Sequence, residues 1–563
     1  MDLFSSQDFP TIATSDSNLF FQEELVYFYF YNYRDSPSSD VIILSDRFGH
    51  ILQLLKQNIH DDVCGSFEYL ILFYRLLGHT RSTLYGKGEH ELTYLMLFNW
   101  YKYFPALAIY AIHRFVKCVD GQSNPFGSWR DIKYLCQFIS TYSDLQQEHS
   151  FIDVCCDLMN SQLDLDLDIQ HMYALPKHRL SISNVAKWIP REHKQFDWLY
   201  EKLVIHWIHK NKPYILNTTT DASYFSAISK SKRLFRKKIS FLNKILDTTQ
   251  IKLCTDNRHN IIPNHVSQYT QMKLPDLFLK DNDNSLEINK LSDSPHFNPT
   301  VAPLPIYHYV KRAFQLLSNN TNLSKDIIGS QKKILNKQWS LLSKSFQYSR
   351  FSNSIPIIDV SEHMYNTNSD SYYATIGYAI LLAQNSSFSN RIMAIDDIPT
   401  WIRFDTNQGF VSIVEQVQCS IYSSSCSHTN FHAAFHLIGK TIQDSMLNHH
   451  NIQHLRIVLF STFSNLSTDH SLYDNIISIM SNYCFHIPFI AFWNLSKYGN
   501  DTLPCSIHQH SAVLLSGFSP SLLHVLLDKY KRFHTNPYKT ICNILRHSNY
   551  DVLENYIRQL SKY

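Results

Sequence analysis

The residues best suited to chemistry cluster around one acidic turn, Asp359-Val360-Ser361-Glu362-His363, which follows the apolar run "IPII". A carboxylate and a hydroxyl two residues apart at the end of such a run are oxygen donors of the kind that hold a hard divalent ion. Thr429, in "SHTNFHAAFHLI", opens a helical pattern and offers a further hydroxyl. Thr462 follows the run "RIVLFS" and offers another. The set is poor in charge, however, because His363 brings an imidazole and Thr462 a neutral hydroxyl. Imidazole favours zinc or copper over magnesium, and one histidine among hydroxyls is a weak soft site. The expectation is a site of this architecture without a magnesium ion, and no cofactor.

A second chemistry is written in "SKSKRLFRKKISFLNKILD", residues 229–247. At ~100° per residue, Phe235, Ile239, Leu242 and Leu246 share one face, and Lys230, Arg233, Lys237 and Lys244 share the opposite one. A basic face uninterrupted by acid is what displacement of counterions from a phosphate backbone requires. The same pattern also fits the solvated outer side of a helical layer.

Other motifs carry less. "YGKGEHEL" (85–92) lacks the G-x-x-x-x-G-K-[ST] spacing of a phosphate loop and lies between helical patterns. In "NPFGSWRDIKYLC" Ser128 is placed as a helix N-cap with Asp131 at the third helical position, a capping box. Trp129 and Arg130 beside it could alternatively offer a stack and a charge to a ligand. The 29 histidines form no H-E-x-x-H, and no G-x-S-x-G or Cys/His nucleophile context is present. An enzyme is not expected.

These residues must be positioned by several domains, since 563 residues exceed one hydrophobic core. The composition, 44% apolar and 14% aromatic, fits packed globular structure. A net charge of +3 gives no global attraction to nucleic acid or membrane, so polyanion binding has to be local. The eleven cysteines contain no C-x-x-C pair, and reduced thiols are expected. "MDLFSSQDFP" lacks the basic and apolar regions of a signal peptide. The most apolar stretch is broken by Lys102 and Pro105, so no membrane span is expected.

Along the chain, apolar residues recur at three and four from about 18 to 255. Helix pairs at about 64–103, 104–148, 150–189 and 193–246 suggest stacked HEAT-like repeats. From 355 the period changes. Strand-like runs at 355–360, 391–396, 455–461, 487–495 and 511–518 alternate with helical stretches at 371–385, 410–418, 431–447, 472–484 and 520–533. That alternation predicts a doubly wound parallel sheet. The expected division is a flexible N-terminus (1–17), a helical-repeat domain (18–279), a linker or insertion (280–305), joining helices (306–350) and an α/β domain (351–563). The fold class is multidomain, α plus α/β.

"LLGHTRSTLYGKGEHELTYL" (76–95), "NPFGSWRDIKYLC" (124–136), "VAKWIPRE" (185–192), "LPIYHYVK" (304–311), "LNKQW" (335–339), "IIDVSEHM" (357–364), "FIAFWNL" (489–495) and "LLSGFSPSLL" (514–523) occur in this order. Together they resemble an uncharacterised family of large DNA viruses, plants and fungi, with the virus branch closest. The resemblance implies an N-terminal helical region joined to a C-terminal von Willebrand A-like domain. Members keep a D-x-S-x-S turn and a later Asp; His363 and Thr462 depart from both, so a metal is not carried over. More distantly the architecture is similar to the Ro (TROVE) ribonucleoproteins, in which a helical ring carries RNA. The expectation is a non-enzymatic interaction protein binding RNA or another polyanion through Lys230, Arg233, Lys237 and Lys244, with the A-like domain docking proteins. The alternative is a viral structural or virion-associated protein that binds only proteins. Either would be intracellular, in the host cytoplasm or the virion.

Overall fold

The computed structural model describes residues 14–32, 38–61, 63, 65–117, 125–172, 182–211, 213, 221–255, 260–261, 266, 270–271, 274, 304–318, 325–347, 353–361, 364, 369–388, 390–421, 429–445, 452, 454–463, 471–483, 487–496, 502–526 and 536–561. The segment 280–305, read as a linker, falls almost wholly outside them, as does His363.

The described helices are α1 (Thr14–Phe30), α2 (Ser38–His60), α3 (Ser66–Arg81), α4 (Glu91–Tyr103), α5 (Pro105–Val116), α6 (Trp129–Tyr142), α7 (Ser150–Met172), α8 (Val185–Trp188), α9 (Asp197–Asn211), α10 (Asp221–Leu246) and α11 (Thr249–Cys254). They continue with α12 (Ile306–Leu317), α13 (Lys325–Gln347), α14 (Ser369–Gln384), α15 (Phe410–Ile421), α16 (Phe431–Asp444), α17 (Leu472–Met480), α18 (Pro537–Leu545) and α19 (Asp551–Leu560). The strands are β1 (Ser354–Asp359), β2 (Arg391–Ile395), β3 (Thr400–Arg403), β4 (Arg456–Ser461), β5 (Phe489–Asn494) and β6 (Ala512–Ser516). None of the described helices is long and apolar enough to cross a membrane.

The chain divides into two compact units: residues 1–80, 84–89 and 296–563 in one, and residues 81–83 and 90–295 in the other. The division therefore differs from the one expected from sequence. The first helices, read as the start of the helical-repeat domain, belong to the unit that holds the sheet, and α1 packs against β6. The helices read as joining elements, α12 and α13, are layers of that same unit. Gly377 of α14 makes one of these packings possible, since a Cβ there would stand 2.9 Å from Ile306 Cγ1 and 3.1 Å from Val310 Cγ2 of α12.

The sheet has six strands in the order β3-β2-β1-β4-β5-β6. β2, β1, β4, β5 and β6 run parallel, and β3 pairs with β2 antiparallel at the edge. The expected all-parallel sheet is thus a mixed one, with a strand the sequence reading lacked. Buried residues fill β1, β4 and β6 throughout, as two-sided coverage by helices demands. Pro356 has no N–H for a ladder, and β1 begins its pairing with β2 one residue later, at Ile357↔Met393. The helical stretch expected at 520–533 is a 3₁₀ segment over Pro520–Leu526, and 527–535 lie outside the described residues.

The carboxyl ends of β5 and β6 are covered by the end of α1. Asn494 Nδ2 donates to the Phe30 carbonyl (2.9 Å), and Ser516 Oγ donates to the Tyr29 carbonyl (2.6 Å). Lys87, only 1% exposed, turns inward and donates to the carbonyls of Tyr29 (2.7 Å) and Tyr31 (2.5 Å). A cation on the last carbonyls of a helix is favourable against its dipole. The glycine-flanked lysine of "YGKGEHEL" is a structural anchor, and Gly88, at φ 68°, makes the turn that allows it.

In the helical unit, α6 starts as the sequence predicts. Ser128 is its N-cap and closes a capping box with Asp131, whose Oδ2 accepts from the Ser128 N–H at 2.7 Å. Trp129 is 4% exposed and belongs to the core.

Candidate functional site

Two places answer to the residues singled out in the sequence, one in each unit. The first lies where the strand order changes direction, between β1 and β4, the usual ligand edge of an open α/β sheet. Asp359 closes β1 and is 3% exposed. Its Oδ1 accepts from the Ser361 N–H (3.1 Å) and from Thr429 Oγ1 (3.1 Å). Its Oδ2 accepts from Ser461 Oγ at 2.6 Å. The structure thus brings Asp359, Ser361 and Thr429 together.

Thr462 is buried at the end of β4, but the hydroxyl that reaches Asp359 from this strand is that of Ser461. Sequence reasoning missed Ser461. The signal for it is register: Ile358 pairs with Phe460, so one step further sets Asp359 beside Ser461. A second carboxylate at this edge was also missed, although the run "RIMAID" ends on it. Asp396 follows β2, is 2% exposed, and accepts from the Asp397 N–H at 2.9 Å, while its Oδ2 has no partner.

A carboxylate has about four acceptor positions, and three of those on Asp359 are taken by donors of the protein. Thr462 adds no charge. Among the described residues no group of three His, Cys, Asp or Glu side chains is placed to share a metal ion. Among the described residues, protein donors occupy most of the acceptor positions of Asp359. What the arrangement does is clasp the start of α16 and the end of β4 onto β1.

The second place is the surface of α10. Phe235 and Leu242 are fully buried, and Ile239 and Leu246 are half-buried, as the periodicity requires. Lys230, Arg233, Lys237 and Lys244 are all exposed. The other cations of this helix are neutralised. Lys232 pairs with Glu201 at 2.5 Å and with Glu192 at 4.0 Å, Arg236 with Glu192, and Lys238 with Asp164. No such carboxylate partner meets the four exposed cations among the described residues. Leu234 and Phe241 are 44% and 46% exposed beside them, so the face alternates charge with apolar surface.

Beside α10 a groove of about 670 Å³ is bounded by residues 186–192, α10 and α11. Sequence reasoning did not find it, because a groove between a loop and two helices leaves no local motif. Its wall is fixed by Asn243 Nδ2 donating to the Ala186 carbonyl at 3.0 Å.

Residues 353–548, from just before β1 to just beyond α18, match a family model described as "Domain of unknown function (DUF7788)". The chain is also similar to an uncharacterized protein of Acanthamoeba polyphaga mimivirus, 21% identical over 494 residues, covering 84% of this chain and 78% of the relative. No solved structure matches.

Proposed function

We propose that the protein is a non-enzymatic binding protein whose helical unit holds RNA or another polyanion on the exposed face of α10. The observation that carries this reading is selective neutralisation. On one helix, Lys232, Arg236 and Lys238 each meet a carboxylate, while Lys230, Arg233, Lys237 and Lys244 are exposed and meet none among the described residues. Unneutralised cations in a row are costly to one another and are relieved by a phosphate backbone. Packing in the helical unit runs mostly between successive helices, from α4 to α7 and from α7 through α9 to α10, which supports a HEAT-like stack displaying this face.

The C-terminal unit is, on the same reading, a von Willebrand A-like module that has lost its ion and serves to dock proteins. Its strand order, its antiparallel edge strand and the Asp359-Ser361-Thr429 cluster support this.

Filter binding of RNA across a salt series tests the proposal. Changing Lys230, Arg233, Lys237 and Lys244 together to Gln is expected to weaken binding and to flatten the dependence of log K on log salt by roughly 0.7–0.9 for each phosphate no longer neutralised. Affinity and slope unchanged by the four substitutions would overturn it.

A further inference from the structure

The groove beside α10 continues the basic face and differs from it in being lined by rings and unpaired polar groups. Lys187, Arg191 and Lys244 stand on its lining; each is exposed, and none meets a carboxylate among the described residues. Its one acid, Glu192, is already held by Arg236 and Lys232. Tyr200 also lines it, is 2% exposed, and has a hydroxyl without a hydrogen-bond partner. A buried hydroxyl left unpaired is costly and marks a place that a ligand's polar group can complete.

At the Trp188 side of the groove, cations gather on aromatic rings and pair with no acid among the described residues. Arg130 lies 5.9 Å from the Trp188 ring centre, Lys133 5.3 Å and Lys187 5.5 Å. Arg130 and Lys133 also lie over Tyr134, at 4.9 and 5.1 Å, and Lys133 lies 5.0 Å from Phe196. Ring faces attract such cations but do not cancel their charge. Burial together with nearby Arg130 lowers the Lys133 ammonium below its ordinary range. An anion arriving at this cluster would relieve that cost.

We propose that this groove and the Trp188-centred cations form a site for single-stranded nucleic acid, taking one nucleotide's base into the groove and its flanking phosphates onto Lys187, Arg191 and Lys244. The inference rests on the polyanion reading of α10 and makes it specific. About 670 Å³ is within the ~300–1,000 Å³ range of small-molecule sites and suits a base, which a duplex keeps stacked and paired inside. Single strands expose bases to pockets and rings, whereas duplex RNA is met by shape and phosphate contacts. Trp188 acts as a positioning residue that gathers the three cations.

The test is fluorescence anisotropy on the full chain with labelled oligouridylate of about 12 nucleotides, within the ~4–16 nucleotide sites of single-strand binders, and with an RNA duplex of equal length. An oligothymidylate arm separates RNA from DNA, and a poly-glutamate competitor tests for an acidic protein ligand. The single strand is expected to bind at least about tenfold tighter than the duplex. Lys187→Glu with Arg191→Glu should weaken it about tenfold, and Trp188→Ala similarly, with Trp188→Phe restoring most of the loss. The paired charge reversal concerns exposed residues only and carries the test if Trp188→Ala fails to fold.

Equal affinity for single strand and duplex, equal competition by poly-glutamate, or indifference to the charge reversals would overturn the groove site. If binding were then lost only on changing Lys230, Arg233, Lys237 and Lys244, the α10 reading would survive alone. Absence of any nucleic-acid binding by the unaltered chain would overturn both.

Discussion

Asn32 and Asn494 hold each other's chain segments across 462 positions of sequence: Asn32 Nδ2 donates to the Asn494 carbonyl at 3.0 Å, and Asn494 Nδ2 donates to the Phe30 carbonyl at 2.9 Å. Asn494 Oδ1 also accepts from the Ser496 N–H at 2.8 Å. Both residues are essentially inaccessible to solvent, at 0% and 1%. The last residues of β5 are therefore completed by the end of α1, and the N-terminal helices belong to the same compact unit as the sheet.

Replacing Asn494 by Leu removes the side-chain donor to the buried Phe30 carbonyl and an acceptor of the Ser496 N–H. Each such loss costs about 1–3 kcal/mol. Urea unfolding should show a lower midpoint with an unchanged slope. A midpoint equal to that of the unaltered chain would contradict the role given to this residue.

Arg81 and Asp131 form the most enclosed ion pair among the described residues of the helical unit, with Nε to Oδ1 at 3.0 Å, Nη2 to Oδ2 at 2.7 Å, and both side chains 2% exposed. Asp131 Oδ1 also meets His90 Nδ1 (3.0 Å) and accepts from Tyr94 Oη (2.8 Å). Burial opposes the charged carboxyl, but Arg81 and His90 outweigh it and hold Asp131 well below the usual carboxylate range. Its contribution is complete above the ordinary value of about 4 and is lost as pH falls below that. Asp131→Leu strands the guanidinium and should cost about 3–5 kcal/mol. The double change Arg81→Met with Asp131→Leu should recover part of that loss in thermal melts.

His79 predicts the opposite end of the acid range. It is fully buried, its Nδ1 meets Tyr550 Oη at 3.0 Å, and its Nε2 has no partner. Burial first, then the charges of Lys87 and His547, lower its pKa to about 3. The unfolded chain takes up a proton below about 6.5 that the folded chain refuses, so stability falls as pH drops from there. Between pH 7 and pH 5 this amounts to about 2 kcal/mol. Urea midpoints at the two pH values should converge in His79→Phe, and an equal drop in that variant would refute the assignment.

The parts legible in the sequence are those written locally. Near-continuous apolar runs gave β1, β2, β4, β5 and β6, and the Ser128 cap gave the start of α6. β3 escaped because Thr400–Arg403 is four residues at an edge with a single fully buried side chain, Ile402. Periodicity showed that α1 to α3 bury a face without showing against what, since Asn32 and Lys87 find their partners only in the folded chain. Asp359, Ser361 and Thr429 were legible as a pattern, and Ser461 needed the register of β4 against β1. Asp131 could be read as a cap, but its pairing with Arg81 joins residues 50 apart through tertiary packing.

The clasp around Asp359 makes a prediction about metal that does not depend on activity. Three protein donors occupy the carboxylate, and Thr462, next to Ser461, brings a hydroxyl and no charge. Calorimetric titration with magnesium or manganese is therefore expected to show no saturable site below about 1 mM, the weak end of protein calcium sites. Thr462→Asp places a carboxylate beside Ser461 and adds a negative charge near Asp359 at the cost of a buried acid. In that variant magnesium should raise the melting temperature, because a ligand that binds only the folded chain stabilises it by mass action, and Asp359→Ala should abolish the gain. Tight magnesium binding by the unaltered chain, lost in Asp359→Ala, would show instead that the hydroxyls give up Asp359 to a cation.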